Sequence, residues 1–199
     1  IIDSNAFKFC YNLKNIEIPN SVRTIGWCAF YECESLTSIN IPDSVTYMND
    51  QAFKFCSNLK TVTIGNGLDS IPEQAFALCE KLTTVNISNR VTHIKKAAFS
   101  NCSNLKSITI PDSVTTIHDN TFEFCSSLTN ITIGKGVTKI GKMVFYQTSL
   151  TSVKFSDTTT WYMTTSSSYT NGTEVNVTNT TTNATYFKDT HRSYYWYKQ

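Results

Sequence analysis

Charge is scarce in this chain. Its 199 residues carry 17 Lys and Arg against 15 Asp and Glu, a formal net charge of +2. That near-neutral balance excludes the basic footprint of a nucleic-acid-binding domain. No run of 18 or more apolar residues occurs, which excludes a membrane-spanning helix. Clustered C-x-x-C spacings are missing, so a zinc site is not expected. There is no HExxH, nucleophile elbow or phosphate-cradling Gly loop, and only three histidines: His93, His118 and His191. The sequence therefore reads as non-enzymatic and implies no cofactor. An initiator Met is absent too. The chain opens at Ile1-Ile2 already in phase, since Ile2 lies 23 residues before Ile25. Upstream residues are expected, with a secretion signal or anchor among them.

What is present is a period. Phe7, Phe30, Phe53, Phe76, Phe99, Phe122 and Phe145 stand 23 residues apart without a slip. A fixed period of this length means that one supersecondary unit is wound repeatedly. Three residues after each of the first six Phe comes Cys, and three after that Leu, as in Phe99, Cys102 and Leu105. Two apolar residues separated by one polar follow, as in Ile16/Ile18, Ile39/Ile41, Val62/Ile64 and Val85/Ile87. That step reads as a short half-buried strand, stopped by Pro19, Pro42, Pro111, Gly65 or Gly134. A second apolar pair, Val22/Ile25 in the first coil, carries the chain across the far side, and a turn or short helix closes the coil. One strand per coil forces parallel pairing between neighbours, stacked at about 4.8 Å per coil in a rod roughly 30–35 Å long.

The phrase C-x-x-L-x-x-[IV]-x-I-P-x-x-V-x-x-I-x-x-x-A-F resembles the leucine-rich repeats of the BspA-like, or Treponema-type, class over residues 1 to about 155. The resemblance implies an α/β-type solenoid with a strand-lined concave face. It also implies a secreted or surface protein of a host-associated microbe, acting in adhesion or protein binding. Residues 1–155 are read as the solenoid, with six full coils and a modified seventh, and residues 156–199 as a β-containing C-terminal cap. From Ser156 to Thr185 the chain is rich in Thr, Ser and Asn, a composition that also suits a low-complexity stalk. Its flanking aromatics, Trp161-Tyr162 and Tyr194 to Tyr197, need burial. Because a solenoid's last coil requires a cap, Trp161, Tyr186, Phe187 and Trp196 are expected to pack on it.

Six of the seven cysteines share one repeat position and are read as free, buried thiols, small and weakly polar. Cys28 lies outside that position and is expected to be partly exposed. Sequons occur at Asn86, Asn101, Asn130, Asn171, Asn176, Asn179 and Asn183, which abundant Asn and Thr also explain. His93 and His118 fall at non-equivalent outer positions and read as variable surface residues. Asp43 and Asp112 read as turn formers.

Two surfaces are candidate binding sites. The concave ribbon presents Asn15, Glu17, Ser38, Asn40, Thr61, Thr63, Thr84, Asn86, Ser107, Thr109, Asn130 and Thr132, a nearly uncharged field of hydroxyls and amides. Such groups suit a host or extracellular-matrix protein or glycan, through bonds each worth about 0.5–1.5 kcal/mol. Thr and Ser equally suit any strand exterior. The alternative is an apolar patch at the variable position two after the anchor, from Phe9, Phe55, Leu78 and Phe124, able to carry a small apolar ligand. A structural spacer is the third reading. The chain is expected to act as a monomer outside the cell or on its surface.

Overall fold

The computed structural model describes residues 1–190 and 192–198, which leaves His191 outside the described residues. In chain order its strands are β1 (Thr24–Ile25), β2 (Ser38–Ile41), β3 (Tyr47–Met48), β4 (Thr61–Ile64), β5 (Ser70–Ile71) and β6 (Thr84–Asn86). They continue as β7 (His93–Ile94), β8 (Ser107–Ile110), β9 (Thr116–Ile117), β10 (Asn130–Ile133), β11 (Lys139–Ile140) and β12 (Ser152–Phe155). The tail adds β13 (Trp161–Thr164), β14 (Thr173–Val175), helix α1 (Thr180–Thr185) and β15 (Tyr195–Lys198).

The molecule is a parallel solenoid with the strand read from each apolar-x-apolar step. These even-numbered strands form a broad ladder, in which Ile39 opposes Val62 and Ile108 opposes Ile131. The sequence reading of one strand per coil is extended by a second, narrow ladder of two-residue strands on the far side, such as Thr116–Ile117 against Lys139–Ile140. An unbroken period places every residue opposite its copy in the next coil, so even two extended residues find partners. The seventh coil is one residue short, and the broad ladder absorbs the deletion by pairing Asn130 with Ser152.

The closing segment is a run of turns, with no helix. Non-glycine residues sit in the left-handed region both two before and two after each anchor Phe, among them Asn101 (φ 61°), Phe124 (φ 60°) and Phe55 (φ 64°). This irregular backbone persists because it is bonded from coil to coil. The N–H groups of Phe7, Phe30, Phe53, Phe76, Phe99 and Phe122 donate to carbonyls of the following coil at 2.8–3.0 Å.

Inside, the phenylalanine rings stack face to face along the axis, with centroids 4.9–5.7 Å apart. Beside them Cys33, Cys56, Cys79, Cys102 and Cys125 each donate Sγ–H to the anchor Phe carbonyl of the preceding coil at 3.1–3.3 Å. That carbonyl already accepts the N–H of its own coil's Cys, as Phe7 does from Cys10, so the thiol occupies its second lone pair. Six of the seven cysteines are buried and all seven are free. Cys28 corrects the sequence reading. It is 1% exposed, with Sγ 3.7 Å from Gln51 Oε1, because the left-handed backbone at φ 52° sets its side chain against the neighbouring coil.

Proline placement divides the ladders. On the narrow ladder the N–H groups of Asn49, Lys95, His118 and Gly141 each donate to an Ile carbonyl of the preceding coil at 2.8–2.9 Å. Pro72 occupies the same position without an N–H, and the ladder is interrupted there, between β3 and β5. On the broad ladder Gly65 and Ser156 close the pairing in this way, onto Ile41 and Ile133. Pro42 and Pro111 stand at the corresponding places, and the broad ladder is cut at both: before β2 and between β6 and β8. A proline cannot donate to a ladder, and each break falls where one is asked to. One expectation needs correction here. Ile16 and Ile18 of the first coil form no strand, and among the described residues no backbone bond joins residues 15–18 to β2.

The tail folds back on the last coil. β15 adds to the narrow ladder in the antiparallel sense, with Ile140 opposite Trp196, and β13 and β14 extend the sheet. Trp161 and Trp196 are fully buried. Phe187 bridges Phe145 at 5.2 Å and Trp196 at 4.3 Å, and Tyr186 packs half-buried beside them. Asn183 lies in this core, donating Nδ2–H to the Val153 and Val177 carbonyls at 3.1 and 2.9 Å. As a fully buried residue it has no room for a glycan.

Candidate binding site

Pairing of the broad strands turns one face of each inward and the other out. Ile39, Ile41, Val62, Ile64, Ile108, Ile110, Ile131 and Ile133 are buried. The polar residues between them point away: Ser38, Asn40, Thr84, Asn86, Ser107, Thr109 and Asn130 are exposed, and Thr61, Thr63 and Thr132 are half-exposed. Register places them side by side, Asn40 against Thr63 against Asn86 in one sheet and Thr109 against Thr132 in the next. Few are used internally. Asn86 Nδ2 donates to Thr63 Oγ1 at 3.4 Å, and Asn130 Nδ2 to Thr129 Oγ1 at 2.8 Å. Asn15 and Glu17 are exposed on the unpaired first coil, set apart from the rest by a cleft of about 310 Å³ lined by Ile16, Ser38 and Asn40.

The cut between β6 and β8 opens this field at its middle. Val85 and Ile87, counterparts of buried residues elsewhere, are half-exposed there. A cavity of about 420 Å³ follows, bounded by Asn86, Asn89, Thr109 and Asp112. The ribbon read from sequence as continuous is thus two three-stranded sheets with an apolar floor between them.

The turn edge behaves differently along its length. Phe9 is 47% and Phe124 43% exposed, whereas Phe55 and Leu78 are half-buried. Phe55 packs edge-on against Tyr31 at 5.5 Å and Tyr31 against Phe9 at 5.9 Å. Lys8 Nζ lies 4.9–5.5 Å from the rings of Phe9, Tyr31 and the exposed Trp27. Phe124 apart, the exposed aromatic surface therefore gathers on the first coils, partly around a lysine, rather than at Phe55 and Leu78. Trp27 and Tyr31 hold no repeat identity, so only the neighbouring coil brings them into the row.

Asp43 and Asp112 do more than form their own turns. Their Oδ1 atoms accept N–H bonds from Asn66 and Lys135 of the following coil at 2.7 and 2.9 Å. No group of three or more His, Cys, Asp or Glu is placed to hold a metal among the described residues. No helix among them is long and apolar enough to cross a membrane.

The family model for the BspA type leucine rich repeat region matches residues 1–126 and 92–193, in 6 copies. A leucine rich repeat protein of T. pallidum is similar at 30% identity and a TM-score of 0.67, over 73% of this chain and 68% of that one. A leucine-rich repeat protein from Eubacterium ventriosum is 28% identical with a TM-score of 0.69, over 76% of this chain and 41% of that one. One from Bacteroides ovatus is 29% identical with a TM-score of 0.54, over 80% and 51%. The chain thus spans about half or less of the latter two. No curated protein matches it in sequence.

Proposed function

This chain belongs to the BspA-type leucine-rich repeat family, a repeat scaffold for protein interaction, and on that premise we propose that it is a secreted or surface-displayed adhesion module for host protein or glycan. The proposed contact surface is the outward face of the broad ladder, from Ser38 and Asn40 to Asn130 and Thr132, together with Asn15 and Glu17 on the unpaired first coil. One observation carries the reading: a row of outward hydroxyls and amides in strand register, almost free of charge and largely unused inside the fold. Each bond to such a group contributes about 0.5–1.5 kcal/mol, so affinity would build from many contacts. The half-exposed Val85 and Ile87 offer that polar field an apolar anchor at its centre.

A second reading rests on the exposed rings of Phe9, Tyr11 and Trp27. Left-handed backbone costs an ordinary residue about 1–2 kcal/mol, yet Phe9 holds φ 63° with its ring in solvent. A ring kept at that cost is a candidate contact for a partner or a small apolar ligand.

The test is binding of the purified chain to immobilised extracellular-matrix proteins and glycans, beside a Thr63→Glu/Thr109→Glu variant shown to be folded by circular dichroism. The adhesion reading expects a ligand that the variant no longer holds. Binding unaffected by the variant but abolished by Phe9→Ser/Trp27→Ser moves the contact to the aromatic row. No binding across the panel overturns adhesion.

A further inference from the structure

Behind the broad ladder, the outward residues of the narrow strands also stand in register, His93 beside Thr116 beside Lys139. His118, one residue beyond β9, brings its ring centroid 6.2 Å from that of His93. The tail closes the C-terminal side of this row. Tyr169 and Tyr195 meet edge to face with centroids 5.2 Å apart. Lys139 Nζ lies 5.1 Å from the Tyr169 ring and Lys142 Nζ 6.0 Å from the Tyr195 ring. Between repeats and tail is a cleft of about 390 Å³, within the usual range for small-ligand sites.

Its chemistry is lopsided. Lys96, Lys139 and the two imidazoles line it, and Lys142 stands beside the Tyr195 ring. Asp119 is the one carboxylate in the lining, and its Oδ1 already accepts the Lys142 N–H at 3.0 Å. Thr116 and Ser167 add hydroxyls. Burial pushes the Tyr169 phenol up to about 12, so it remains a hydroxyl at physiological pH. The two tyrosine planes meet at 61°, which gives no parallel slot for a flat base but does give a wall for the C–H face of a sugar ring.

We propose that this cleft binds an acidic saccharide, its carboxylate or sulfate held by Lys96, Lys139 and the histidine pair, its ring against Tyr169 and Tyr195. The site is separate from the broad ladder and does not depend on what that face binds. It also gives the tail a role beyond covering the last coil, because two of its walls come from the tail. His118 keeps an exposed edge, but burial first and then His93 lower its pKa below 6.5, with Lys95 in the same sense and Asp119 opposed. An anion bound beside it favours the charged imidazole. Binding therefore takes up protons and tightens as pH falls from 7.5 towards 5.5, with His93, Asp119 and Lys95 acting on His118, with Lys96, Lys139 and both tyrosines lining the cleft, and with Lys142 beside the Tyr195 ring.

Isothermal titration calorimetry of the full chain with glucuronic acid, N-acetylneuraminic acid, glucose and inorganic sulfate tests this, with imidazole resonances followed by NMR. At least one acidic sugar is expected to bind tenfold or more tighter than glucose and sulfate, shifting the His93 and His118 signals. Lys139→Gln and Lys96→Gln, each at a solvent-facing position, should weaken that binding at least tenfold without lowering the melting temperature. Thr63→Glu/Thr109→Glu should leave it unchanged. Acidic sugars no better than glucose overturn the anionic part of the proposal, and sulfate equal to them overturns the saccharide. Binding that leaves both imidazole signals unmoved overturns the location.

Discussion

Pro72 stands opposite the Met48 carbonyl in the repeat register and has no N–H to give it. In the other coils this position is filled by Gly26, Asn49, Lys95, His118 and Gly141, each bonded to the Ile carbonyl it faces. One missing donor separates the two-stranded sheet of β1 and β3 from the seven-stranded sheet that runs on into the tail.

Replacing Pro72 with Asn should restore the bond and join the sheets. A net hydrogen bond contributes about 0.5–1.5 kcal/mol. Releasing the proline's restriction on the unfolded chain costs about 0.4–1 kcal/mol in the opposite sense. Stability should therefore change little, while the amide of residue 72 becomes protected. Hydrogen exchange of the Pro72→Asn variant reads this, and a fast-exchanging amide at 72 would count against proline as the cause of the break.

Phe122 and Phe124 lie two residues apart and should respond oppositely. Phe122 is fully buried between Phe99 and Phe145, and its replacement by Ala should cost about 3–5 kcal/mol. Phe124 is 43% exposed at φ 60°. Asn tolerates that backbone, as Asn101 does at the equivalent position, so Phe124→Asn should be neutral or stabilising by about 0.5–1 kcal/mol. Urea denaturation of both variants measures the contrast.

The thiols give a chemical and a pH test. A thiol reagent should modify only the partly exposed Cys10 in the native chain and all seven cysteines once it is unfolded. Burial raises the Cys33 thiol from 9.0 to about 12, and it raises the Cys56, Cys79 and Cys102 thiols as well. A folded-state value above the unfolded one means that the native chain keeps protons the unfolded chain sheds. The corresponding stability is whole below pH 9 and is lost as pH rises from 9 towards 12. Melting curves from pH 7 to 10.5 should fall at the alkaline end. They should fall less in a Cys56→Ala/Cys79→Ala variant, whose starting stability will be lower.

Trp196 ties the tail to the last coil through Phe187 and the β11–β15 pairing. Its replacement by Ala should cost about 3–5 kcal/mol and expose the final coils first, since each coil rests only on its neighbours. Hydrogen exchange should then be fastest in residues 139–155. Uniform loss of protection along the chain would show that the tail is not what holds that end.

The period carried most of the architecture. Phe, Cys and Leu recur because one inward geometry recurs, so their burial and stacking followed from spacing alone. The aromatic ends of the tail gave away their burial through the cost of leaving such rings in water. Cys28 was misread because its cover comes from Gln51 of the next coil, which no single repeat displays. The pairing of His93 with His118 was likewise hidden, since the two occupy different repeat positions on adjacent coils.

By itself the sequence determined what each coil looks like, because side-chain polarity and backbone preference act within 23 residues. Tertiary structure alone decided how coils and tail meet. A ladder bond needs a donor in one coil and an acceptor in another, so a proline legible as a strand stop became a break only against the carbonyl it left unpaired. The tail repeats nothing, and its place on β11, with the cleft that this creates, was decided by an edge where β15 finds ladder partners and Trp196 finds cover.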